Sequence, residues 1–365
     1  MRVIIAIGTT GGHIYPGMAV SEKISRDGNE VILLTRSGGI AENILKNYNY
    51  KILYIMGEGL KRKFSPSAVK FILKLAGGFI QSFIIVLKHK PDVILGMGGH
   101  ITFPVVLAGR IMGKPCIVHE QNVLPGLAVK MLSGIADAVA VSFEKTKGYL
   151  RTRNTVLTGN PIRESIKNVS RKAAEAVLGL KGAGKTVLVF GGSQGALTIN
   201  NAFTEALKFM EHLKDKIRII HITGPQHYMS IKEKYDGTKY NALVLPFLKQ
   251  MECAYACADL IISRAGATTV SEISAVAIPS ILVPYPFATK DHQTENAKVL
   301  AEAGGAIIVK DSELNGEMLA DTVGSMIKDE KKLNEMKAGM SGFKEINGTE
   351  LLVKLIYEKV EGVML

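Results

Sequence analysis

Short apolar runs recur along the whole chain and alternate with segments whose apolar residues follow a helical spacing. Most of these runs are continuously apolar, which is typical of parallel strands that are buried on both faces. In the first half the pattern predicts strands at residues 3–7, 31–35, 52–55, 92–95, 116–119, 138–141 and 156–158. In the second half it predicts strands at 186–190, 217–223, 242–246, 259–263, 280–284 and 306–309.

The alternation of strands and helices predicts an α/β protein with two doubly wound, Rossmann-like domains. The chain has 365 residues, more than one typical core accommodates. A polar segment at 159–172, in which Asn160-Pro161 breaks regular structure, is the predicted linker. We therefore expect an N-terminal domain at 1–161 and a C-terminal domain at 162–345. The chain ends in helical patterns at 317–327, 331–343 and 349–361.

Charge and hydropathy narrow the range of partners. No apolar stretch reaches the ~20 residues that a membrane span requires. The net charge of +12 suits phosphorylated ligands, anionic lipid or nucleic acid. The sequence has no helix-turn-helix, zinc-finger or RNA-binding signature, and Lys outnumbers Arg. We therefore expect no nucleic-acid partner.

Glycine-rich turns follow three of the predicted strands, at residues 8–13, 96–100 and 191–196. Glycine allows positive φ and lets a ligand approach the backbone closely, and ligands of open α/β sheets bind at the carboxyl ends of the strands. None of the turns has the dinucleotide pattern with an acidic residue at the end of the second strand, where Thr35-Arg36 stands instead. No phosphate-loop motif occurs either, so a nicotinamide oxidoreductase and a P-loop hydrolase are both disfavoured.

The segment 264–272 has a similar position, between an apolar run at 259–263 and a helical pattern that extends to Ala277. Unpaired backbone N–H groups and the helix dipole make such a helix start a site for a diphosphate. Glu272, about two turns in, is placed to accept hydrogen bonds from ribose hydroxyls. An ordinary turn with a solvated Glu272 is the open alternative.

The sequence offers little for a metal or a cofactor. No D-x-D triplet occurs, so the usual carboxylate pair of a metal–diphosphate complex is missing. Cys253 and Cys257 lie four apart on a helical pattern, which favours core packing over a metal site. We expect neither a metal ion nor a cofactor.

Several motifs, in order and spacing, resemble the UDP-N-acetylglucosamine transferases of peptidoglycan synthesis. These enzymes add GlcNAc to N-acetylmuramoyl-pentapeptide that is linked to undecaprenyl diphosphate. The similarity covers nearly the whole chain and rests on the segments 10–16, 119–122, 125–126, 159–163, 191–196, 271–272 and 291–293. It implies the GT-B fold, in which two domains face a cleft, with an inverting, metal-independent mechanism. It also implies that the last helix, 349–361, packs back on the N-terminal domain.

The resemblance further implies which residues bind the donor UDP-GlcNAc. The C-terminal domain is expected to hold most of the donor and the N-terminal domain most of the acceptor. Ser193 is expected at the diphosphate, the backbone near Leu248 at the uracil, and Arg163 at the nucleotide. Gln293 and Asn122 are expected to bind the GlcNAc hydroxyls, and the turn formed by Thr10, Gly11 and Gly12 is expected to cover the sugar. The residues expected to bind the diphosphate and ribose are Ala267, Thr268, Thr269, Val270, Ser271 and Glu272.

The reaction requires a base for the acceptor hydroxyl and stabilisation of the departing UDP. His13 titrates near neutrality and is the first candidate base; a helix-capping or plain polar role for it stays open. Glu120 is a second candidate, as base or as orienting residue, with a structural role equally open. The resemblance implies that the second glycine turn, with His100, meets the acceptor diphosphate. The turns depart from the family pattern at 8–10 and at 100–104.

The polyprenyl tail of such an acceptor implies peripheral attachment to an anionic membrane, at its cytoplasmic face. The stretch 61–90 suits that contact because it holds no acidic residue. Ser65-Pro66 would start a helix in this stretch. The basic residues of the stretch are Lys61, Arg62, Lys63, Lys70, Lys74, Lys88 and Lys90, and the apolar residues between them are Phe64, Phe71, Ile72, Leu75, Phe79, Phe83 and Ile84. Some of these apolar residues are expected to pack on the sheet instead of facing the membrane. Other proteins of cell-wall synthesis are further possible partners.

Three alternatives stay open at this point. One is another GT-B enzyme that glycosylates a glycolipid, such as a diacylglycerol glycosyltransferase. A second is a UDP-GlcNAc 2-epimerase, which needs no lipid acceptor. The third is a non-catalytic scaffold that binds nucleotide sugars.

Overall fold

The computed structural model describes residues 1–38, 40–46, 48–57, 67–152, 154–344 and 346–362. The chain forms two compact units. Unit 1 comprises Met1–Arg163 together with Asn347–Leu365, and unit 2 comprises Glu164–Ile346. No helix in the described ranges is both long enough and apolar enough to cross a membrane.

Unit 1 contains a seven-stranded sheet in the order β3-β2-β1-β4-β5-β6-β7, with all strands parallel. Its strands are β1 Arg2–Ala6, β2 Glu30–Thr35, β3 Lys51–Tyr54, β4 Val93–Gly96, β5 Cys116–Glu120, β6 Ala138–Val141 and β7 Thr155–Leu157. Its helices are α1 Gly11–Arg26, α2 Ile40–Leu45, α3 Ser67–His89, α4 Thr102–Ile111, α5 Leu127–Leu132 and α16 Gly348–Glu361. The strand order reverses between β1 and β4, which is where open α/β sheets bind ligands.

Unit 2 contains a six-stranded parallel sheet in the order β10-β9-β8-β11-β12-β13, which reverses between β8 and β11. Its strands are β8 Lys185–Phe190, β9 Ile217–Ile222, β10 Asn241–Leu245, β11 Leu260–Ser263, β12 Ser280–Leu282 and β13 Ala306–Ile308. Its helices are α6 Ser165–Asn168, α7 Arg171–Leu178, α8 Leu197–Phe209, α9 Tyr228–Glu233, α10 Met251–Cys257, α11 Ala267–Val276, α12 His292–Glu302, α13 Gly316–Lys328, α14 Glu330–Gly339 and α15 Ser341–Lys344.

Strand β1 illustrates why the strands are continuously apolar. Val3 and Ile5 belong to one buried cluster, together with residues of α1 and α16, while Ile4 belongs to a second cluster with Val86 of α3. Both faces of the strand are therefore covered, and alternation between apolar and polar positions is absent. The thirteen predicted strands each overlap one strand of the structure, and the predicted fold class is confirmed.

One predicted helix is broken in the structure. The pattern at 331–343 forms two helices, α14 and α15, that are separated at Met340. Met340 is fully buried and packs on Gly305, where a β-carbon would lie 2.5 Å from its sulfur. The break therefore coincides with a tertiary contact of Met340, which the hydropathy pattern does not reveal.

The last helix, α16, belongs to unit 1 although 183 residues of unit 2, Glu164–Ile346, precede it. Leu352, Leu355 and Ile356 are buried in the same cluster as β1 and α1. At its start, Thr349 Oγ1 donates to the carbonyl of Ile162 at 3.0 Å. Near its end, the Tyr357 hydroxyl donates to Asp27 Oδ2 at 2.7 Å. The helix is therefore part of the unit 1 core.

Candidate active site

The first glycine turn joins β1 to α1 at the point where the unit 1 sheet reverses. Helix α1 begins at Gly11, so Gly11, Gly12 and His13 form its first turn. Thr10, just before the helix, makes no side-chain cap, and its Oγ1 is hydrogen bonded to His13 Nδ1 at 3.0 Å. A β-carbon on Gly8 would lie 2.5 Å from His13 Nδ1, so any larger residue there would displace the imidazole ring. The imidazole is thus held by its own turn, with Nδ1 directed to Thr10.

The second turn, after β4, packs against the first. Gly98 and Gly99 both have positive φ, +84° and +78°, which favours glycine. A β-carbon on Gly98 would lie 3.1 Å from His13 Nε2, so this backbone passes directly beside the ring. Thr102 fixes the turn by donating its hydroxyl to the Gly98 carbonyl at 2.7 Å. The two predicted turns of unit 1 therefore form one structure around His13.

The residues at the end of β5 form a buried hydrogen-bonded group. Gln121 Nε2 can only donate, and it lies 3.1 Å from His119 Nδ1. His119 Nε2 is therefore protonated and donates to the Gly159 carbonyl at 3.1 Å. Burial lowers the pKa of His119 to about 4, so the ring is neutral at neutral pH. This side chain holds the loop at 159 and is not exposed to a ligand.

Glu120 is 3% exposed and accepts hydrogen bonds from its own loop. Oε1 accepts from the backbone N–H of Asn122 at 2.9 Å and from its side-chain amide at 3.1 Å. Oε2 accepts from the Gly126 N–H at 2.8 Å. Burial raises the pKa of Glu120, and these hydrogen bonds oppose the rise. The geometry favours an orienting role, in which Glu120 fixes the half-buried side chain of Asn122.

Arg163 is the last residue of the first segment of unit 1. Its guanidinium stacks over the ring of Tyr15 in α1, 5.2 Å from the ring centroid. The structure therefore brings Arg163 to the helix that carries His13. Its expected contact with the nucleotide stays a prediction.

In unit 2, the third glycine turn joins β8 to α8. Ser193 is exposed at its tip, and the turn closes by a hydrogen bond from the Gly195 N–H to the Gly192 carbonyl at 3.0 Å. Both glycines have positive φ, +91° at Gly192 and +78° at Gly195. The backbone then enters α8, a helix of 13 residues, whose first N–H groups point back toward the turn.

The fourth candidate segment begins α11 directly after β11. Ala267 is the first helical residue, and Gly266 precedes the helix in an extended conformation. Ser271 donates its hydroxyl to the Ala267 carbonyl at 2.8 Å, so that hydroxyl is used within the helix. Glu272 is 7% exposed, and its Oε2 accepts from the buried Tyr255 hydroxyl at 2.9 Å. Tyr255 was not recognised from sequence, since nothing local marks its contact with a residue 17 positions away.

Gln293 lies in the first turn of α12 and is held by two backbone groups. Its Oε1 accepts from the N–H of Ala265 at 3.2 Å and from that of Tyr285 at 2.9 Å. Because Oε1 already accepts these two hydrogen bonds, Gln293 can donate to a ligand through its side-chain amide N–H₂. The structure thus brings Gln293 to the segment that starts α11.

Arg264, which the sequence analysis did not assign, fixes the loops around Gln293. Its guanidinium donates to the carbonyls of Val283 and Pro284 at 3.2 Å and pairs with Asp311. It also stacks 5.5 Å from the centroid of the Tyr285 ring. Arg264 connects the ends of β11 and β12 to the segment after β13, which no sequence pattern specifies.

Leu248 lies in the loop between β10 and α10 and is half-buried. Its neighbour Phe247 is 47% exposed. This loop starts at the carboxyl edge of the same sheet as the turns at Ser193 and Ala267. The predicted donor residues of unit 2 therefore come from loops at one edge of its sheet.

Helix α3 carries part of the predicted membrane stretch. Lys61, Arg62, Lys63, Phe64, Ser65 and Pro66 lie outside the described residues, as do the side chains of Lys70, Phe71, Ile72 and Leu75. Phe79 and Phe83 are half-buried and Ile84 is 55% exposed. Ile80 and Leu87, which the sequence analysis did not single out, are 58% and 55% exposed. In the described part of α3, the exposed apolar strip therefore consists of Ile80, Ile84 and Leu87.

Comparison with known proteins relates this chain to a family. The model of the glycosyltransferase family 28 N-terminal domain matches residues 3–141, and that of the family 28 C-terminal domain matches residues 186–350. A protein of Halothermothrix orenii named UDP-N-acetylglucosamine--N-acetylmuramyl-(pentapeptide) pyrophosphoryl-undecaprenol N-acetylglucosamine transferase is 38% identical, over 99% of this chain and 100% of that protein. The protein of the same name from Myxococcus xanthus is 40% identical over 94% of this chain and 89% of that protein.

A solved structure agrees with this relationship. The crystal structure of Acinetobacter baumannii MurG matches with a TM-score of 0.77 and 30% sequence identity. The match covers 98% of this chain and 100% of that chain. The similarity thus extends over the full length of both proteins.

Proposed function

This chain belongs to the family of UDP-N-acetylglucosamine–N-acetylmuramyl-(pentapeptide) pyrophosphoryl-undecaprenol N-acetylglucosamine transferases, and we propose that it catalyses the transfer for which that family is named. The donor is UDP-GlcNAc and the acceptor is N-acetylmuramoyl-pentapeptide on undecaprenyl diphosphate, so the product serves peptidoglycan synthesis. The observation that carries the proposal is the 38% identity to a relative over its whole length. The GT-B fold, with two parallel-sheet units, agrees with it.

The proposed step is a single displacement at the anomeric carbon of GlcNAc. An acceptor hydroxyl forms the new C–O bond, the bond from that carbon to the UDP diphosphate breaks, and the configuration inverts. The hydroxyl proton goes to a base, and UDP leaves with the bonding electrons. We propose His13 as the base, because Thr10 orients its ring through Nδ1 and leaves Nε2 on the side of the second glycine turn. Glu120 is the alternative base; its three loop hydrogen bonds support an orienting role.

The donor is proposed to bind unit 2. The first turns of α8 and α11, with Ser193 and the segment that starts at Ala267, supply backbone N–H groups and helix dipoles for the diphosphate. Glu272 would accept from the ribose hydroxyls, and the Gln293 amide would donate to GlcNAc. The backbone near Leu248 would contact the uracil. These groups would stabilise the departing UDP without a metal ion.

The acceptor is proposed to bind unit 1, at the reversal between β1 and β4. The two glycine turns there bring backbone close to the His13 ring, and His100 in the second turn would meet the acceptor diphosphate. Asn122, which Glu120 holds in place, and Thr10, Gly11 and Gly12 would contact the transferred sugar. The departures from the family pattern at 8–10 and 100–104 lie in these same turns.

Attachment to the membrane is proposed through unit 1. The acceptor carries a polyprenyl chain, and the apolar strip on α3, together with the basic residues of 61–90, suits an anionic surface. The proposed location is the cytoplasmic face of the cell membrane, as a peripheral protein. Partnership with other cell-wall proteins stays a prediction.

The proposal is tested by transfer of labelled GlcNAc from UDP-GlcNAc to a short-chain acceptor, with and without excess EDTA. We expect lipid-linked product in both, because the sequence has no D-x-D triplet and the proposed diphosphate site uses backbone groups. Activity that EDTA abolishes and Mg²⁺ restores would refute the metal-free mechanism. Conversion of UDP-GlcNAc without an acceptor would indicate the epimerase alternative, and donor binding without turnover would indicate the scaffold.

A further inference from the structure

Tyr255 in α10 is only 1% exposed, and its hydroxyl reaches a residue of the proposed donor site. It donates to Oε2 of Glu272, which lies on α11, at 2.9 Å. A buried tyrosine needs a partner for its hydroxyl, and a buried carboxylate needs hydrogen-bond donors. This hydrogen bond meets both needs, so it holds the carboxylate of Glu272 from the interior of unit 2.

The ring of Tyr255 is itself held against the sheet. Phe190, the last residue of β8, lies edge-on to this ring, with the two ring centroids 6.1 Å apart and the planes at 80°. Such T-shaped pairs are a favourable geometry for aromatic rings. Phe190 is 5% exposed and directly precedes the glycine turn that carries Ser193. The position of the Tyr255 hydroxyl is therefore set by packing in the core.

The elements around Tyr255 lead into three of the proposed donor loops. Its own helix, α10, begins at Met251, shortly after the loop with Leu248 that is proposed for the uracil. Glu272 belongs to α11, whose start is proposed for the diphosphate. Phe190 leads into the turn at Ser193, which is proposed for the same diphosphate. A change at Tyr255 is thus expected to affect the donor and not the acceptor.

A carboxylate that is fixed before the ligand arrives binds hydroxyl groups more tightly than a mobile one. An ionised carboxylate has about four lone-pair sites, so the hydrogen bond from Tyr255 leaves acceptor capacity for ribose hydroxyls. Ordering a side chain on binding costs affinity, and a side chain that is already held avoids this cost. A buried polar group also rejects an analogue that lacks the hydroxyl, because the group is then left unpaired.

We propose that Tyr255 is a positioning residue that holds Glu272 for the ribose hydroxyls of the donor, and that this pair makes the site selective for nucleotides that carry those hydroxyls. The inference rests on the proposed function only in the expected contact between Glu272 and ribose. Tyr255 itself does not contact the donor and acts through Glu272.

The test removes a single oxygen atom with Tyr255→Phe, which keeps the ring that packs on Phe190. Calorimetry compares the binding of UDP with that of dideoxyuridine diphosphate, which lacks both ribose hydroxyls. We expect the parent protein to prefer UDP. Tyr255→Phe should bind UDP about fivefold more weakly, because the ligand must then order the side chain of Glu272. Its affinity for the dideoxy analogue should match that of the parent protein.

Tyr240→Phe is the matched control, because it also removes a tyrosine hydroxyl that donates a hydrogen bond within unit 2. The Tyr240 hydroxyl donates to the Leu207 carbonyl at 2.7 Å. Tyr240 directly precedes β10, so it lies at the amino edge of the sheet, opposite the donor loops. Tyr240→Phe should bind both ligands as the parent protein does. Thermal unfolding verifies that both variants are folded.

A second pair of variants tests whether Tyr255 acts through Glu272. In the Glu272→Ala background, Tyr255→Phe should leave the affinity for UDP unaltered, because the carboxylate that Tyr255 positions is gone. This pair lacks the buried carboxylate, so it can be measured even if Tyr255→Phe alone does not fold.

Unchanged UDP affinity in Tyr255→Phe, or equal losses for UDP and the dideoxy analogue, would overturn the proposal. A further loss from Tyr255→Phe in the Glu272→Ala background would overturn it as well. A parent protein without preference for UDP would do the same, since Glu272 would then make no ribose contact. All of these experiments measure binding, so absence of GlcNAc transfer by the parent protein would count against the proposed function alone.

Discussion

At the scale of single residues, His13 is the side chain whose surroundings best fit a base. Thr10 holds Nδ1 at 3.0 Å, and the Gly98 backbone passes beside Nε2. We predict that His13→Ala lowers kcat about 10²-fold or more and leaves UDP affinity unchanged, since His13 belongs to unit 1. Steady-state kinetics and calorimetry test this, with exposed His212→Ala as the control. Unchanged kcat with weaker donor binding would make His13 a binding residue and Glu120 the leading base.

Glu272 provides a second residue-scale prediction. If its carboxylate accepts from both ribose hydroxyls, Glu272→Ala should weaken UDP-GlcNAc binding by roughly 2–3 kcal/mol, as for hydrogen bonds to a charged group. Calorimetry on the folded variant measures the change. Glu233→Ala, an exposed carboxylate on α9, should leave the affinity unaltered. Parent-like affinity of the Glu272 variant would exclude the ribose contact.

The sequence predicted the position of these residues better than their partners. Glycine turns after apolar strands are local patterns, and the structure has them at the carboxyl ends of β1, β4 and β8. The hydrogen bond from Tyr255 to Glu272 and the support of Gln293 by Ala265 and Tyr285 join residues distant in sequence. Such contacts depend on the packing of helices and loops, which a single sequence without an alignment does not specify.

At the scale of elements, the C-terminal helix α16 packs into the core of unit 1, which is otherwise formed by the N-terminal part of the chain. Leu352 is fully buried in unit 1, whereas its neighbour Leu351 is 42% exposed. We predict that Leu352→Ala costs about 2–5 kcal/mol of the free energy of unfolding of unit 1, through lost burial and a cavity. Leu351→Ala, the same chemical change one residue away, should cost far less. Denaturant unfolding measures both, and equal losses would contradict the packing of α16 described above.

Helix α3 gives an element-scale prediction about the membrane. Ile80→Ser/Ile84→Ser removes two exposed apolar side chains and should reduce binding to anionic vesicles about tenfold or more, because these groups would otherwise enter the lipid interface. Ile111→Ser, at the end of α4 and 60% exposed, is the control. If both variants bind vesicles as well as the parent protein, the membrane-binding surface is not the exposed apolar strip of α3.

The sequence identified α3 as amphipathic and basic but not which face is exposed. Half-buried Phe79 and Phe83 and exposed Ile80 and Leu87 have similar hydropathy, and only contact with the sheet distinguishes them. The same limitation applies at the break between α14 and α15, where the burial of Met340 is a tertiary effect. Strands buried on both faces were easier to predict, since their pattern needs no choice of face.

At the scale of the whole molecule, each unit has a buried neutral histidine, which predicts sensitivity to acid. Burial lowers the pKa of His119 in unit 1 to about 4 and that of His221 in unit 2 to about 3, from an ordinary value of 6.5. Below pH 6.5 the unfolded chain binds protons that the folded chain does not. Stability should therefore be fully present above pH 6.5 and fall as the pH drops toward these values.

The predicted loss for His119 is on the order of 3 kcal/mol at pH 4, from a shift of about two and a half pKa units. Glu120 acts in the opposite direction, since its raised pKa makes the folded state take up a proton more readily in acid. His221 has no such neighbour: its ring is hydrogen bonded to Asn200 and the Tyr235 hydroxyl, both neutral. The free energy of unfolding of unit 2 should thus depend more steeply on pH than that of unit 1.

Urea unfolding between pH 4.5 and 7.5 tests this prediction. His221→Gln should be less stable than the parent protein at pH 7.5, and its free energy of unfolding should change less with pH. The control, exposed His212→Gln, should follow the curve of the parent protein. A His221→Gln curve as steep as the parent's would mean that other groups cause the acid sensitivity.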